Sequence, residues 1–571
     1  MFSDYLSVTR ILLKNSFRKG ENKNRKLFIL MAVFLGFLPL VIILGIGVYQ
    51  FTPVIIESGV FLEFLVLGLT MSELTIFFFG IFSILAYMFF SDDAEFLSGL
   101  PVRKTSLFMS KLTMVYINEL IVSAFVLLPI LFLSGISAIR SGFDLNAGYF
   151  ILSALAVFIM PILPLLLVSV LAFPMMYVVS YFKRRAVLSS VVLIILFVAF
   201  MSLYFFFVGN INSGSNGVPE IEIGQSLINS LTRLSKIAFF NTIYVKAMLN
   251  TGSFVINILM FLVILSISFA ITTLVASLLY QRSVTAQLEA AKDIGAKGSI
   301  GDKKDISMAF LIKDFKMLIR NPGFAFQSFM GPILTPIMIV FISKSMSVPT
   351  EGESGTAIQA TSLILFLVTM LFCGTNFVAI VAFTREGKFF YFNKYLPIPY
   401  KDIIKGKLLL SYYSAMVGVV LSTIVYAFVV KTNYLIILIF GVYLSIASVG
   451  FVYMGLYRDL KKPKLEWNNV NEAVKQNFNA MIPMFIGGGI GTVTLVIGMM
   501  IESVTLKILR KTQAPTVVIG MMIESVTGKD TFLSWLLLWT VLFIPSVIIV
   551  IYYKQKLDNN YVQMLNNIEV H

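Results

Sequence analysis

The chain has 571 residues, of which 44 are Lys or Arg and 29 are Asp or Glu. The charged share is thus 13% and the net charge +15, where a soluble domain carries about 25% charged residues. Hydrophobic residues make up 58% and the mean hydropathy is +0.91, which excludes an ordinary soluble enzyme and predicts an all-α polytopic membrane protein. The single His is His571 and the single Cys is Cys373. No His or Cys metal cluster, no Cys–His or Ser–His–Asp site and no disulfide within one copy is therefore expected.

The chain opens with a polar, basic arm over 1–26 that leads into an apolar run without a small-residue cleavage pattern, so it reads as a retained cytoplasmic arm. Twelve apolar stretches are long enough to cross a hydrocarbon core of roughly 30 Å as helices. They cover 27–50, 68–90, 112–134, 149–180, 187–209, 254–280, 324–343, 361–383, 408–430, 433–457, 481–501 and 532–552. Pro161, Pro164 and Pro174 are placed to kink the fourth. With both termini cytoplasmic, 34 of the 44 cationic side chains fall on the inner side, as the positive-inside rule requires. The basic charge is then a topological imprint, and no nucleic-acid partner is expected.

The polar stretch AAKDIGAKGSIGDKKD (290–305) has linker composition and divides the chain near its middle. The expected organisation is a first six-span half over 1–280, a cytoplasmic linker over 281–305 and a second six-span half over 306–571. An internal repeat supports this division. With a shift of 296 and no gap, Phe96 aligns with Phe392, Leu100 with Leu396, Pro101 with Pro397, Lys111 with Lys407 and Leu112 with Leu408. These identities lie in the loop after the second span of each half, 91–111 and 384–407. Each half also opens on a basic helix-like stretch, YLSVTRILLKNSFRKG and MAFLIKDFKMLIRNPG, with the pattern of a helix lying on headgroups. Parallel six-span repeats follow.

Pro101 and Pro397 suit the first turn of a short helix, where a missing N–H costs nothing, and Asp92, Asp93 and Thr384 are placed to cap a turn upstream. Each loop is therefore predicted to run as helix, break, short helix and then span. From composition, such a helix fits a rest on lipid headgroups, with Lys snorkelling, better than a seat in a groove of a cytoplasmic partner.

The amphipathic arm, the two Leu-Pro loops (LPVRKTSLFMSKL and LPIPYKDIIKGKL) and the six-span half used twice resemble the ABC-2 type transporter permeases, the membrane subunits of type V ABC exporters. The resemblance implies that the loop after the second span is a coupling helix docking on a nucleotide-binding subunit. Carried over, Leu100, Pro101, Arg103 and Lys104, with Leu396, Pro397, Tyr400 and Lys401, are contact positions. It also implies short re-entrant helices in 210–253 and 502–531. The second-half loop 458–480, RDLKKPKLEWNNVNEAVKQNFNA, is much longer than the KRR turn at 183–185, and its Asp-Leu…Pro-Lys-Leu…Trp pattern is similar to stretches in prokaryotic permeases of this kind. A bacterial cell membrane is the expected location.

No P-loop string occurs, and GAKGSIGDKK (295–304) has its glycines and lysines in the wrong order for one. No cofactor is expected in the chain; ATP and Mg would be bound by two copies of a separate ATPase. Ionisable and amide residues in or near spans mark a possible transport path: Glu73 and Glu119, with Asn118 and Asn376. A near-exact repeat, TLVIGMMIESVT (494–505) and TVVIGMMIESVT (516–527), has no physical account. An ion-coupled secondary transporter with internal repeats is the alternative reading; a membrane-embedded enzyme is less well supported, because no catalytic cluster is present. Peptides, lipids and drugs all suit an apolar path, so the cargo is not specified.

Overall fold

The computed structural model describes residues 2–18, 44–88 apart from 46, 101–181, 225–292, 305–345, 373–430, 434–467, 470–474, 482–491 and 531–568, with 191, 194, 195, 198, 369 and 477. Among the described residues every regular element is helical. The chain divides into two compact units, Met1–Ser299 with Asn468–Asn471, and Ile300–Trp467 with Glu472–His571.

In the first unit, α1 (Phe2–Arg18) lies on α3 (Lys104–Arg140), and α3 packs along α2 (Phe61–Met88). The fourth expected span is two helices, α4 (Ala147–Ile159) and α5 (Ile162–Tyr181), joined at Met160–Pro161. Pro161 breaks the run because its ring cannot continue the hydrogen-bond ladder. Pro174 is absorbed within α5. The short helices α6 (Gln225–Ile237) and α7 (Phe239–Met248) pack against α2, and α8 (Phe254–Lys292) closes the unit against α5 and α7. Leu65, Leu69, Leu127, Leu131, Tyr149 and Tyr244 form its buried centre. α8 runs past the expected boundary at 280, since TAQLEAAK consists mostly of good helix formers.

The second unit begins with α9 (Ile306–Arg320) and α10 (Pro322–Ser345), separated at Asn321, whose side-chain oxygen accepts from the N–H groups of Gly323 and Phe324. After α11 (Phe377–Ile380) come a 3₁₀ segment, Thr384–Tyr391, and one turn of helix, α12 (Phe392–Tyr395). The long helices α13 (Tyr400–Val430) and α14 (Tyr434–Lys461) follow, then, after the short turn α15 (Val470–Val474), whose first two residues count with the first unit, the terminal α16 (Thr531–Asn566). α14 and α16 pack together around Tyr443, Phe451, Met454, Tyr553 and Leu557.

Five described helical runs are long and apolar enough to cross a membrane: Lys104–Arg140, Ala147–Pro174 (α4 continued into α5), Phe254–Tyr280, Tyr400–Val429 and Ile437–Lys461. A sixth results if the two parts of α10, bent by 41°, count as one span. On α8, Val255, Ile256, Leu259, Leu262, Val263 and Ile267 are all exposed. An apolar face of that extent is a surface for lipid, and the protein is membrane-embedded. The expected spans 27–50 and 187–209 fall mainly outside the described residues, as do about half of 361–383, much of 481–501, the 494–527 duplication and all of 210–224 and 502–530.

The Leu-Pro loops differ from expectation. Pro101 and Pro397 lie before their helices, not in a first turn, and α3 and α13 then run unbroken from Lys104 and Tyr400. In the second loop the short helical segment precedes Leu396. The cause is local: Pro399 keeps Ile398 out of the helical region, so the helix can start only after Leu-Pro-Ile-Pro has passed.

Candidate functional site: an ionic cluster beneath the 384–401 segment

The site grows from the buried stripe of α9. Ser307, Phe310, Asp314 and Leu318 recur three and four apart and are all buried, so the helical period turns a carboxylate inward with the apolar residues. The expectation that the charges of this stretch face headgroups is corrected at Asp314. Lys313, Lys316 and Arg320 do stay on the exposed side.

Lys407, in the second turn of α13, meets that carboxylate. Its Nζ donates to Asp314 Oδ2 at 2.9 Å, to Glu386 Oε1 at 2.7 Å and to the carbonyl of Ala382 at 2.8 Å. All three donors of the ammonium are used. Lys313 Nζ reaches Glu386 Oε1 at 2.7 Å and Asp314 Oδ1 at 3.5 Å, and Arg385 Nη2 stands 3.9 Å from Asp314 Oδ2. The other Glu386 oxygen accepts from Asn393 Nδ2. Asp314, Arg385, Glu386 and Lys407 are each buried, and isolated charges in such a place would cost several kcal/mol each. Burial alone would raise the Asp314 carboxyl; the charges of Lys407, Arg385 and Lys313 and the Lys407 hydrogen bond outweigh it and hold Asp314 below the ordinary carboxylate range. Burial pulls the Arg385 guanidinium down from its usual value, opposed by Asp314, Glu386 and Asp459.

A second set of contacts fixes the start of the 3₁₀ segment. Asp459 of α14 accepts the N–H groups of Phe383 at 2.6 Å and Thr384 at 3.1 Å, as well as the Thr384 hydroxyl. Thr384 was expected to cap with its own side chain; instead a carboxylate from another helix caps it, a stronger arrangement at a helix N-terminus. The Thr384 hydroxyl oxygen accepts from the Lys464 N–H at 3.0 Å, and the Thr384 carbonyl from Trp467 Nε1 at 2.8 Å. Gly387, at φ +53°, lies against the Trp467 ring, in a left-handed conformation that a β-carbon would strain. The residues of the Asp-Leu…Pro-Lys-Leu…Trp pattern thus converge on a single residue. At the far end of the segment, Lys394 Nζ donates to the carbonyls of Asn566 and Ile568, closing the end of α16.

Above this base the segment is open. Tyr395 is 81% exposed and Phe389 69%; Phe389 and Tyr391 stack on Phe392 and Tyr395 meets Tyr391 edge-on, with centroids 4.2–6.4 Å apart. Of the expected contact residues, Leu396, Pro397 and Lys401 are exposed and Tyr400 half-buried; in the first loop Pro101, Arg103 and Lys104 are exposed. Leu100, Asp92 and Asp93 lie outside the described residues.

The path residues are dispersed. Glu73 sits mid-way along α2; Asn241 Nδ2 of α7 donates to its Oε2 at 2.7 Å. Glu119 accepts from Ser83 Oγ at 2.6 Å, and Asn118 Nδ2 donates to the Tyr87 hydroxyl oxygen at 3.0 Å. Ser83 is ten residues beyond Glu73 on α2, about 15 Å along the axis, so the two carboxylates occupy separate levels. Asn376, in the second unit, donates to the Ser411 carbonyl at 3.2 Å. Among the described residues no group of His, Cys, Asp and Glu is arranged to hold a metal ion.

Asp314, Arg385, Glu386, Asp459 and Trp467 were not singled out from sequence as site residues. The legible signal was the spacing of Asp314 from Phe310 and Leu318, an acid four residues from an apolar neighbour on either side. Comparison with protein-family models, with curated proteins and with solved structures finds no match.

Proposed function

We propose that this chain is the membrane subunit of an ATP-driven exporter of the ABC-2 permease kind. In this reading it has twelve spans in two parallel six-span halves, with both termini cytoplasmic. Two copies of a separate ATPase, which bind ATP and Mg, dock on the segments around Leu100–Lys104 and Leu396–Lys401. Nucleotide-driven closure of the ATPases opens a path between the halves.

The observation that carries the reading is the mechanical contrast of residues 384–401. Their outer side presents stacked aromatic rings and lysines, the composition of an interface anchor. Their inner side is tied by buried charges to α9, α13 and α14, and through Lys394 to α16. A surface that can be gripped is thereby joined to helices long enough to span a membrane, and a displacement of one is transmitted to the others. The two-repeat reading draws support from the register of the peripheral helices. Ser110 of α3 donates to the carbonyl of Tyr5 on α1, and Gly406, the residue aligned with Ser110, faces the carbonyl of Ser307 on α9.

Co-expression with the ABC-type ATPase encoded beside the chain, followed by tagged recovery, tests the proposal. The ATPase is expected to co-purify, and Arg103→Glu/Lys104→Glu or Tyr395→Ala/Lys401→Glu to weaken recovery at least tenfold. Failure to recover any ATPase, with efflux that follows an ion gradient and ignores ATP, would replace it with the secondary-transporter reading.

A further inference from the structure

The pair Glu73–Asn241 in the first unit presents a hydrogen-bond account that does not close. Asn241 is 1% exposed. One N–H of its amide goes to Glu73 Oε2 at 2.7 Å and the other to Thr70 Oγ1 at 3.0 Å. Thr70 spends its own hydroxyl proton on the carbonyl of Val66 at 2.7 Å, so it has none for either partner. Two buried atoms are left, Glu73 Oε1 and Asn241 Oδ1, and neither has a hydrogen-bond partner. Both are acceptors when Glu73 is ionised. The Ser72 hydroxyl, buried next along the chain, bonds to neither.

Charged groups do not relieve the pair. α5 carries no ionisable residue except Tyr177 and its terminal Tyr181. Arg233 and Lys236 on α6, Lys246 on α7, Lys104, Lys111, Glu119 and Arg140 on α3 and Glu63 on α2 are the charges of the packed elements, and among the described residues none forms an ion pair with Glu73. A bare carboxylate there would be a buried, uncompensated charge, which is costly in any apolar setting.

We infer that Glu73 and Asn241 form a proton-binding site within the first unit, with the proton carried on Glu73 Oε1 and shared with Asn241 Oδ1. A single proton converts Oε1 into a donor and removes both orphaned acceptors at once, as in the cyclic pairing of a carboxylic acid with an amide. A metal cation is the poorer occupant, since two free oxygens fall well short of the six or more that hard cations gather. The proton bridges α2 and α7, so separating these helices exposes it and lets it leave. The site is built within the first unit alone and stands whether or not an ATPase drives the protein.

The test is infrared difference spectroscopy of the full chain in nanodiscs at neutral pH, wild type against Glu73→Gln. A carbonyl stretch of a protonated carboxylic acid is expected in the wild type, absent from the variant and shifted by Asn241→Ala. Should Glu73→Gln fail to fold, glutamate labelled at the carboxyl carbon reads the same band in the wild type and in Asn241→Ala. Only ionised-carboxylate bands at this position, or a protonated band that disappears when sodium replaces choline, would overturn the inference.

Discussion

Two seams of similar geometry show how differently one job can be done. In the first unit α1 lies on the opening turns of α3, and hydroxyl groups take part in the contact: Thr9 Oγ1 donates to Ser110 Oγ at 3.0 Å, Tyr5 and Thr113 share a bond at 3.0 Å, and Ser110 donates to the Tyr5 carbonyl at 3.2 Å. In the second unit α9 lies on the opening turns of α13. There Ser307 donates to Asp402 at 3.0 Å, but the centre is the Asp314–Lys407–Glu386 cluster. Lys111 and Lys407 are both buried. Neutral hydroxyl contacts are worth about 1 kcal/mol each and are forgiving. Buried ions tolerate the loss of no single partner, because the remaining charge is stranded. The second seam is therefore the one expected to hold its segment more rigidly.

The largest effect expected from breaking this contrast is at Asp314. Asp314→Asn leaves Lys407 and Arg385 without their shared carboxylate and should cost about 3–5 kcal/mol, read as a large fall in thermal unfolding temperature in nanodiscs. Asp314→Leu combined with Lys407→Met should recover much of that loss, since removing both partners leaves no stranded charge. A double variant as damaged as the single one would show that packing and not charge dominates there.

Acid should act on the same group. The folded Asp314 is held below its ordinary value, so its contribution is present above the unfolded carboxylate pKa of about 3.9 and is lost as pH falls through the folded value. Hydrogen exchange at 384–395 is expected to rise on acidification below about pH 4 in the wild type, and to be already raised at neutral pH in Asp314→Asn. Equal acid sensitivity in the two proteins would contradict the assignment.

Next in size is Gly406→Ala. A β-carbon there would stand 2.7 Å from the Ser307 carbonyl oxygen and 2.7 Å from Phe310 Cβ, so α9 must move off α13, at about 1–3 kcal/mol. The smallest effect belongs to the hydroxyl seam. Thr9→Val should cost about 1 kcal/mol, and an Asp314-like loss from it would erase the distinction between the seams.

Much of this was readable in the chain and some was not. Long apolar runs place α3, α8, α13 and α14, because a membrane helix must supply twenty or so apolar residues in sequence. The exposed Leu396, Pro397 and Lys401 were legible from the aligned loops. The cluster was not, since Asp314, Glu386, Lys407 and Asp459 come from four separated segments and no local spacing announces their meeting. Thr384 illustrates the same limit: its suitability as a cap was visible, but a carboxylate 75 residues away captures it first. In the second Leu-Pro loop the late start of the helix has a local cause, the second proline at 399.

Site-specific photo-crosslinking at Tyr395 and at Arg103 tests the docking proposal most directly, with the ATPase co-expressed and the complex kept in membranes. Both positions are expected to link to the ATPase, more strongly with ATP bound than without, while Phe254 on α8 links only to lipid. Absence of any ATPase adduct at Tyr395 and Arg103, in a chain that still moves its cargo, would contradict it.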